Sequence, residues 1–92
     1  MSVSPRLAAK IERIFPAESE SVIASLDEMD ERMFRGEAGD RLLAAMIIYS
    51  EGSIEGFSLA LEEVSEDWRD VLVEAGLSGD DWPEKLEEFL AS

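Results

Sequence analysis

Eight apolar or nearly apolar residues in a row, Leu42–Tyr49, constrain the fold of this chain more than any other stretch. Such a run is typical of an element that is buried on most sides. Leu, Ala and Met favour a helix, and no other segment has the alternating pattern of a partner strand. We therefore predict a buried helix, with a strand through Met46–Tyr49 as the alternative.

The residues before this run predict two helices. Ser4 and Pro5 are typical of a helix cap and a first helical position. Pro16 ends that helix and falls in the first turn of the next. Apolar residues at helical spacing then continue to about Arg35, which predicts a long second helix that stops at Gly36.

The residues after the run predict two or three more helices. Ser53 is a typical cap for a fourth helix, and Gly56 should weaken its first turn by about 1 kcal/mol relative to Ala. A fifth helix should start at Ser65 or Asp67. Gly76 is a typical left-handed helix end.

Two further features complete this C-terminal region. Leu77, directly after Gly76, should fold back onto Leu72 in a Schellman turn. A sixth helix should start at Asp81, with Glu84 completing a capping box. We predict an all-α fold, a bundle of five to six helices around a buried hydrophobic third helix, in one domain covering residues 1–92.

The charge of the chain is strongly negative and unevenly distributed. The formal net charge is −14; residues 1–41 contribute −3 and residues 42–92 contribute −11. An acidic surface repels nucleic acid and acidic lipid, and it favours solubility, basic partners or both. The only basic stripe consists of Arg6, Lys10 and Arg13, which we interpret as a solvated face or one paired with acidic residues of the same molecule.

The composition argues against most enzyme classes. Cys and His are both absent, which removes thiol chemistry, disulfides and the usual general base near neutral pH. No phosphate-binding loop, nucleophile elbow or dinucleotide fingerprint is present.

The start of the chain lacks the apolar run of a signal peptide, and no stretch is long enough to span a membrane. We expect a cytoplasmic protein that is not an enzyme and needs no cofactor.

Two clusters of acidic residues are candidate metal sites. One extends over residues 62–70 and the other over residues 27–31. Neither has the alternating oxygen ligands and central Gly of a calcium loop, and di-iron bundles need a His that the chain lacks. We therefore predict no dedicated metal site.

A short pattern occurs twice near the end of the chain. Trp68 follows Asp67, Trp82 follows Asp81, and each pair precedes an acidic residue and a Leu. We expect each Trp to attach the start of its helix to the core, because aromatic residues dominate burial in small domains. The alternative is an exposed Trp that anchors an interface.

The segments DWRDVLVEAGL and DWPEKLEEFL, at residues 67–77 and 81–90, carry a family resemblance. Together with the apolar third helix, they resemble a group of small acidic bacterial proteins of unknown function. The resemblance covers about the C-terminal half of the chain. It implies a bacterial cytoplasmic protein, and it implies no activity and no site residue.

These features together predict a non-enzymatic interaction module, such as an adaptor, a regulator or an immunity-type inhibitor, that binds a basic protein partner. The alternatives are a self-associating homodimer and, less favoured, a small carboxylate-based hydrolase. The candidate partner-binding residues are Glu62, Glu63, Glu66, Trp68, Asp70, Glu74 and Trp82.

Overall fold

The computed structural model describes residues 3–29 and 40–92, and within these ranges it contains five helices and no strand. The helices are α1 (Pro5–Ile14), α2 (Ser19–Asp27), α3 (Asp40–Ser50), α4 (Ile54–Ala75) and α5 (Trp82–Ala91). The predicted all-α class is confirmed. The strand alternative is wrong, because Met46–Tyr49 lies inside α3.

Two of the predicted helix caps are confirmed by hydrogen bonds. The Ser4 hydroxyl accepts from the backbone N–H of Leu7, and Pro5 occupies the first position of α1. The Ser53 hydroxyl accepts from the backbone N–H of Gly56 at 2.9 Å. Each bond satisfies a backbone donor that the helix itself leaves without an acceptor.

The second helix is shorter than its apolar stripe predicts. It begins at Ser19, after a turn over residues 16–18, and it ends at Asp27. The prediction that Pro16 falls in the first turn of this helix is wrong, because Pro16 lies in the turn before it. Asp27 and Glu28 place negative charge at the C-terminal end, where the helix dipole disfavours it. The rest of the predicted helix, up to Arg35 and Gly36, falls within 30–39, outside the described residues.

The fourth and fifth predicted helices form one continuous element with a kink. The backbone of Asp67 is extended, with φ −155° and ψ 99°, so α4 consists of two helical segments joined at this residue. The Asp67 carboxylate accepts from the backbone N–H of Arg69, which makes Asp67 the cap of the second segment. Ser65 does not start it, because its hydroxyl donates back to Leu61 in the first segment.

The end of α4 is the predicted Schellman turn. Gly76 has φ 78°, in the left-handed region that favours Gly. The backbone N–H of Leu77 donates to Leu72, and that of Gly76 donates to Val73. Leu77 is buried at 1% exposure, so this turn directs the chain into the core before α5 begins.

One hydrophobic core connects the five helices. Residues 42–47 of α3 are all buried at 0–1% exposure, and α3 packs against α1, α4 and α5. The other buried side chains come from α1, α2 and α4 and from the residues that follow α1 and α4: Leu7, Ile11, Phe15, Val22, Leu26, Phe57, Ala60, Val64, Val71, Leu72 and Leu77. No helix in the described parts of the chain has the length and apolar composition needed to cross a membrane.

The connection between α3 and α4 is unusually tight. Glu51 and Gly52 both have positive φ, at 53° and 79°, which reverses the chain within a few residues. The buried hydroxyl of Ser50 donates to Ile47 and accepts from the backbone N–H of Gly52. A Cβ on Gly56 would lie 2.2 Å from the Ser50 carbonyl oxygen. Gly56 is therefore required for the close approach of α4 to the end of α3, a role that helix propensity alone did not indicate.

Candidate protein-binding surface

The first segment of α4 has an acidic outer face. Leu59, Glu62, Glu63 and Glu66 are three or four residues apart, so they follow one side of the helix. The opposite side is buried through Phe57, Ala60 and Val64. Glu62 and Glu66 are exposed and Glu63 is half-buried.

The second segment has a similar face. Asp70, Val73 and Glu74 are all exposed and lie three or four residues apart, whereas Val71 and Leu72 are buried. Val73 has 62% of its surface exposed and Leu59 has 55%, so each acidic face also carries one large apolar side chain. Their position opposite the buried residues could have been read from helical spacing, but the sequence did not single them out.

Tyr49 interacts electrostatically with a carboxylate from each segment. Tyr49 lies in the last turn of α3 and is half-buried. Partial burial is the main cause that raises the pKa of Tyr49, and the carboxylates of Glu63 and Glu74 raise this pKa further. One residue comes from each segment, so both segments place a carboxylate near the same phenol. We call the seven residues Leu59, Glu62, Glu63, Glu66, Asp70, Val73 and Glu74 the α4 acidic face.

The carboxylates of the α4 acidic face are not neutralised by the cations of the described residues. Arg69 lies nearby, but it contacts Asp67 at 3.8 Å and stacks over the Trp68 ring. Lys85 of α5 lies 3.9 Å from the carboxylate of Asp81, the residue that precedes this helix. Each carboxylate therefore adds negative potential to this side of the molecule.

The remaining four described cations are used elsewhere. Arg6 forms two hydrogen bonds with the Glu87 carboxylate, at 2.8 and 2.9 Å. Lys10 and Arg13 donate to the backbone oxygen of Ser92. Arg41 donates to the Leu77 carbonyl. Within the α1 basic stripe, Arg6 is thus paired with an acidic residue of the same molecule, as predicted, whereas Lys10 and Arg13 bind the Ser92 backbone oxygen. These contacts involve a different part of the chain from the α4 acidic face.

The two Trp do not stand out as exposed anchors. Both are half-buried and pack against the hydrophobic core. The Cζ atom of Arg69 lies 5.6 Å from the Trp68 ring centroid, and that of Arg41 lies 4.7 Å from the Trp82 ring centroid. Cation stacking of this kind covers the outer face of an aromatic ring. The predicted attachment of each Trp to the core agrees with these contacts, although neither side chain is fully buried.

Asp81 occupies the predicted N-cap position of α5, but the predicted side-chain cap is absent. Asp81 precedes α5, but its backbone has φ −90° and ψ 12° and its side chain forms no capping hydrogen bond. A capping side chain needs an extended backbone to reach the N–H groups of the first turn, as Asp67 has. The Asp81 carboxylate instead lies 3.9 Å from Lys85.

Among the described residues there is no concave pocket and no group of three or more acidic side chains placed to hold a metal ion. Comparison with known proteins gives no match to a family model, a curated protein or a solved structure. The similarity to small acidic bacterial proteins therefore stays a prediction from residues 67–77 and 81–90.

Proposed function

We propose that this protein is a non-enzymatic interaction module of the bacterial cytoplasm whose α4 acidic face binds a basic protein partner. The observation that carries the proposal is the negative charge of that face, which no cation in the described ranges 3–29 and 40–92 neutralises. Its five carboxylates lie away from the buried residues of the two α4 segments, while the six described cations are engaged with other groups. Complementary charge on a partner would accelerate encounter and make binding depend on salt.

The composition of the face supports a protein as the partner. Leu59 and Val73 supply exposed apolar area within the acidic surface. Interfaces combine a few apolar contacts, which contribute affinity, with charged groups around them, which select the partner. We expect a basic partner that also presents apolar side chains at this spacing.

The fold supports the proposal by holding α4 firmly. We regard α3 as the organising helix of the bundle, since its buried residues 42–47 lie against α4 and the Ser50–Gly56 contact fixes where α4 begins. A rigid helix loses little conformational entropy on binding. The alternative of a homodimer is less favoured for this face, because two copies meeting through it would bring like charges together.

The test is affinity capture from cell extract with the full chain, at about 0.05 and 0.3 M NaCl, since surface charges are screened over this range. The test variant carries Glu62→Gln, Glu66→Gln and Asp70→Asn. The matched control carries Glu12→Gln, Glu20→Gln and Asp80→Asn, which changes the net charge equally at exposed sites elsewhere.

We expect the unmodified chain and the control to retain the same basic proteins at low salt. The α4 variant should not retain them, and the higher salt concentration should release them from the unmodified chain and from the control. Equal retention by the α4 variant and the control, or retention that ignores salt, would contradict the proposal.

A further inference from the structure

Helix α5 differs from the other described helices in how it is attached. Each of α1 to α4 contributes at least two fully buried side chains to the core, whereas α5 contributes none. Its apolar residues Trp82, Leu86, Phe89 and Leu90 are half-buried against the core. Partial burial of this kind gives α5 a smaller share of the hydrophobic free energy than the other helices have.

Cations from the first 41 residues hold α5 along its whole length. Arg41 of α3 contacts both the Leu77 carbonyl and the Trp82 ring at the beginning of the helix. Arg6 pairs with Glu87 in the middle. Lys10 and Arg13 bind the Ser92 backbone oxygen at its end, where the helix dipole is negative.

The contacts made by the α1 cations are open to solvent, whereas the bond from Arg41 to the Leu77 carbonyl is part-buried. The side chains of Arg6 and Glu87 are 54% and 63% exposed, and the bonds from Lys10 and Arg13 are exposed as well. Lys10 also lies 5.0 Å from the centre of the Phe89 ring. Exposed ionic contacts weaken as salt concentration rises, unlike the buried apolar contacts between α3 and α4.

From this arrangement we infer that α5 is a detachable strap. It leaves the surface of α1 and α3 as a unit while the rest of the fold stays intact, and the four cations of α1 and α3 set how often it does so. Release frees the basic stripe of α1 from its partners, which gives an otherwise acidic molecule a second surface with unpaired positive charge. This inference is independent of the proposed function, because it involves neither α4 nor a partner.

The test is amide hydrogen exchange of the full chain, followed residue by residue by NMR at about 0.05 and 0.5 M NaCl. Opening of α5 alone should give its amides protection factors at least about tenfold below those of α3. The higher salt concentration should lower α5 protection about two- to fivefold and should not lower α3 protection.

Two single substitutions separate the ionic contacts from a general loss of charge. Arg6→Gln removes the pair with Glu87 and should lower α5 protection about two- to fivefold, with α3 unchanged. Arg69→Gln removes an equally exposed ion pair in α4 and should leave α5 unchanged. The double variant Arg6→Glu, Glu87→Arg, in which the two charges are exchanged, should restore the protection of α5 that Arg6→Gln lowers.

Equal protection of α5 and α3 would overturn the inference, since the helix would then open only with the whole molecule. The same conclusion would follow if α5 protection responded to neither salt nor Arg6→Gln.

Discussion

At the scale of single residues, helix propensity and steric fit make opposite predictions for the substitution Gly56→Ala. Propensity alone predicts that Gly56→Ala stabilises α4 by about 1 kcal/mol. The structure predicts the opposite, because the added Cβ would lie 2.2 Å from the carbonyl oxygen of Ser50, a backbone atom that cannot move aside cheaply. We expect destabilisation of about 1–3 kcal/mol, measured by urea unfolding. Ser58→Ala, at an exposed position in the same segment, is the control, and a more stable Gly56→Ala protein would refute this steric role.

The two Asp-Trp pairs also differ at this scale. Asp67→Ala removes a capping hydrogen bond to Arg69 and should lower the free energy of unfolding by about 1 kcal/mol. Asp81→Ala removes no cap and should change it by roughly 0.5 kcal/mol or less. Parallel urea titrations of the two variants make the comparison. Equal losses would mean that both residues cap their helices, as the sequence pattern alone predicted.

At the scale of elements, Tyr49 reports on how the two segments of α4 meet. It is the only Tyr in the chain, so its ionisation can be followed by ultraviolet absorbance without ambiguity. We expect a pKa above the ordinary value of about 10. Since the folded state favours the neutral phenol, the resulting stabilisation is complete below the unfolded pKa and is lost as pH rises through the folded one.

Neutralising either neighbouring carboxylate should bring that pKa back toward its ordinary value. Glu63→Gln and Glu74→Gln should each lower the pKa of Tyr49, while Glu55→Gln at the start of α4 should leave it unchanged. A response to Glu63→Gln alone would show that the second segment does not reach Tyr49, and the two acidic faces would then be separate.

The sequence anticipated the elements better than their junctions. Caps at Ser4 and Ser53 and the turn at Gly76 depend on local chemistry, so a few neighbouring residues were enough to predict them. The early end of α2, the missing cap at Asp81 and the need for Gly at position 56 depend on backbone directions and on a contact between two helices. Residue spacing within one helix contains no information on such backbone directions or on contacts between helices.

For the candidate surface, the sequence identified the acidic residues of α4 but not their organisation. Helical spacing was enough to group Glu62, Glu63 and Glu66. Their relation to Glu74 depends on the kink at Asp67 and on the position of Tyr49 in α3. The α1 basic stripe suggested pairing with acidic residues of the same molecule, but the partner of Arg6, Glu87 in the last helix, could be identified only in three dimensions.

At the scale of the whole molecule, the charge that favours a basic partner should also destabilise the isolated protein. Within the segments of α4, Glu62 and Glu66 lie four residues apart, as do Asp70 and Glu74, and like charges at this spacing repel each other. The triple variant Glu62→Gln, Glu66→Gln, Asp70→Asn should therefore be more stable than the unmodified chain by about 1 kcal/mol at low salt. Salt should erase this gain by screening the repulsion.

Urea unfolding at about 0.05 and 0.5 M NaCl measures this effect. The control with Glu12→Gln, Glu20→Gln and Asp80→Asn should gain less, because none of its residues has a like charge three or four positions away in the same helix. A variant that loses its partners while gaining stability would identify the charges of α4 as functional. Charges that lower the stability of the fold cannot be explained by a role in folding. If the triple variant were instead less stable at low salt, its loss of partners could reflect a damaged helix, and the α4 acidic face would lose its main support as a binding surface.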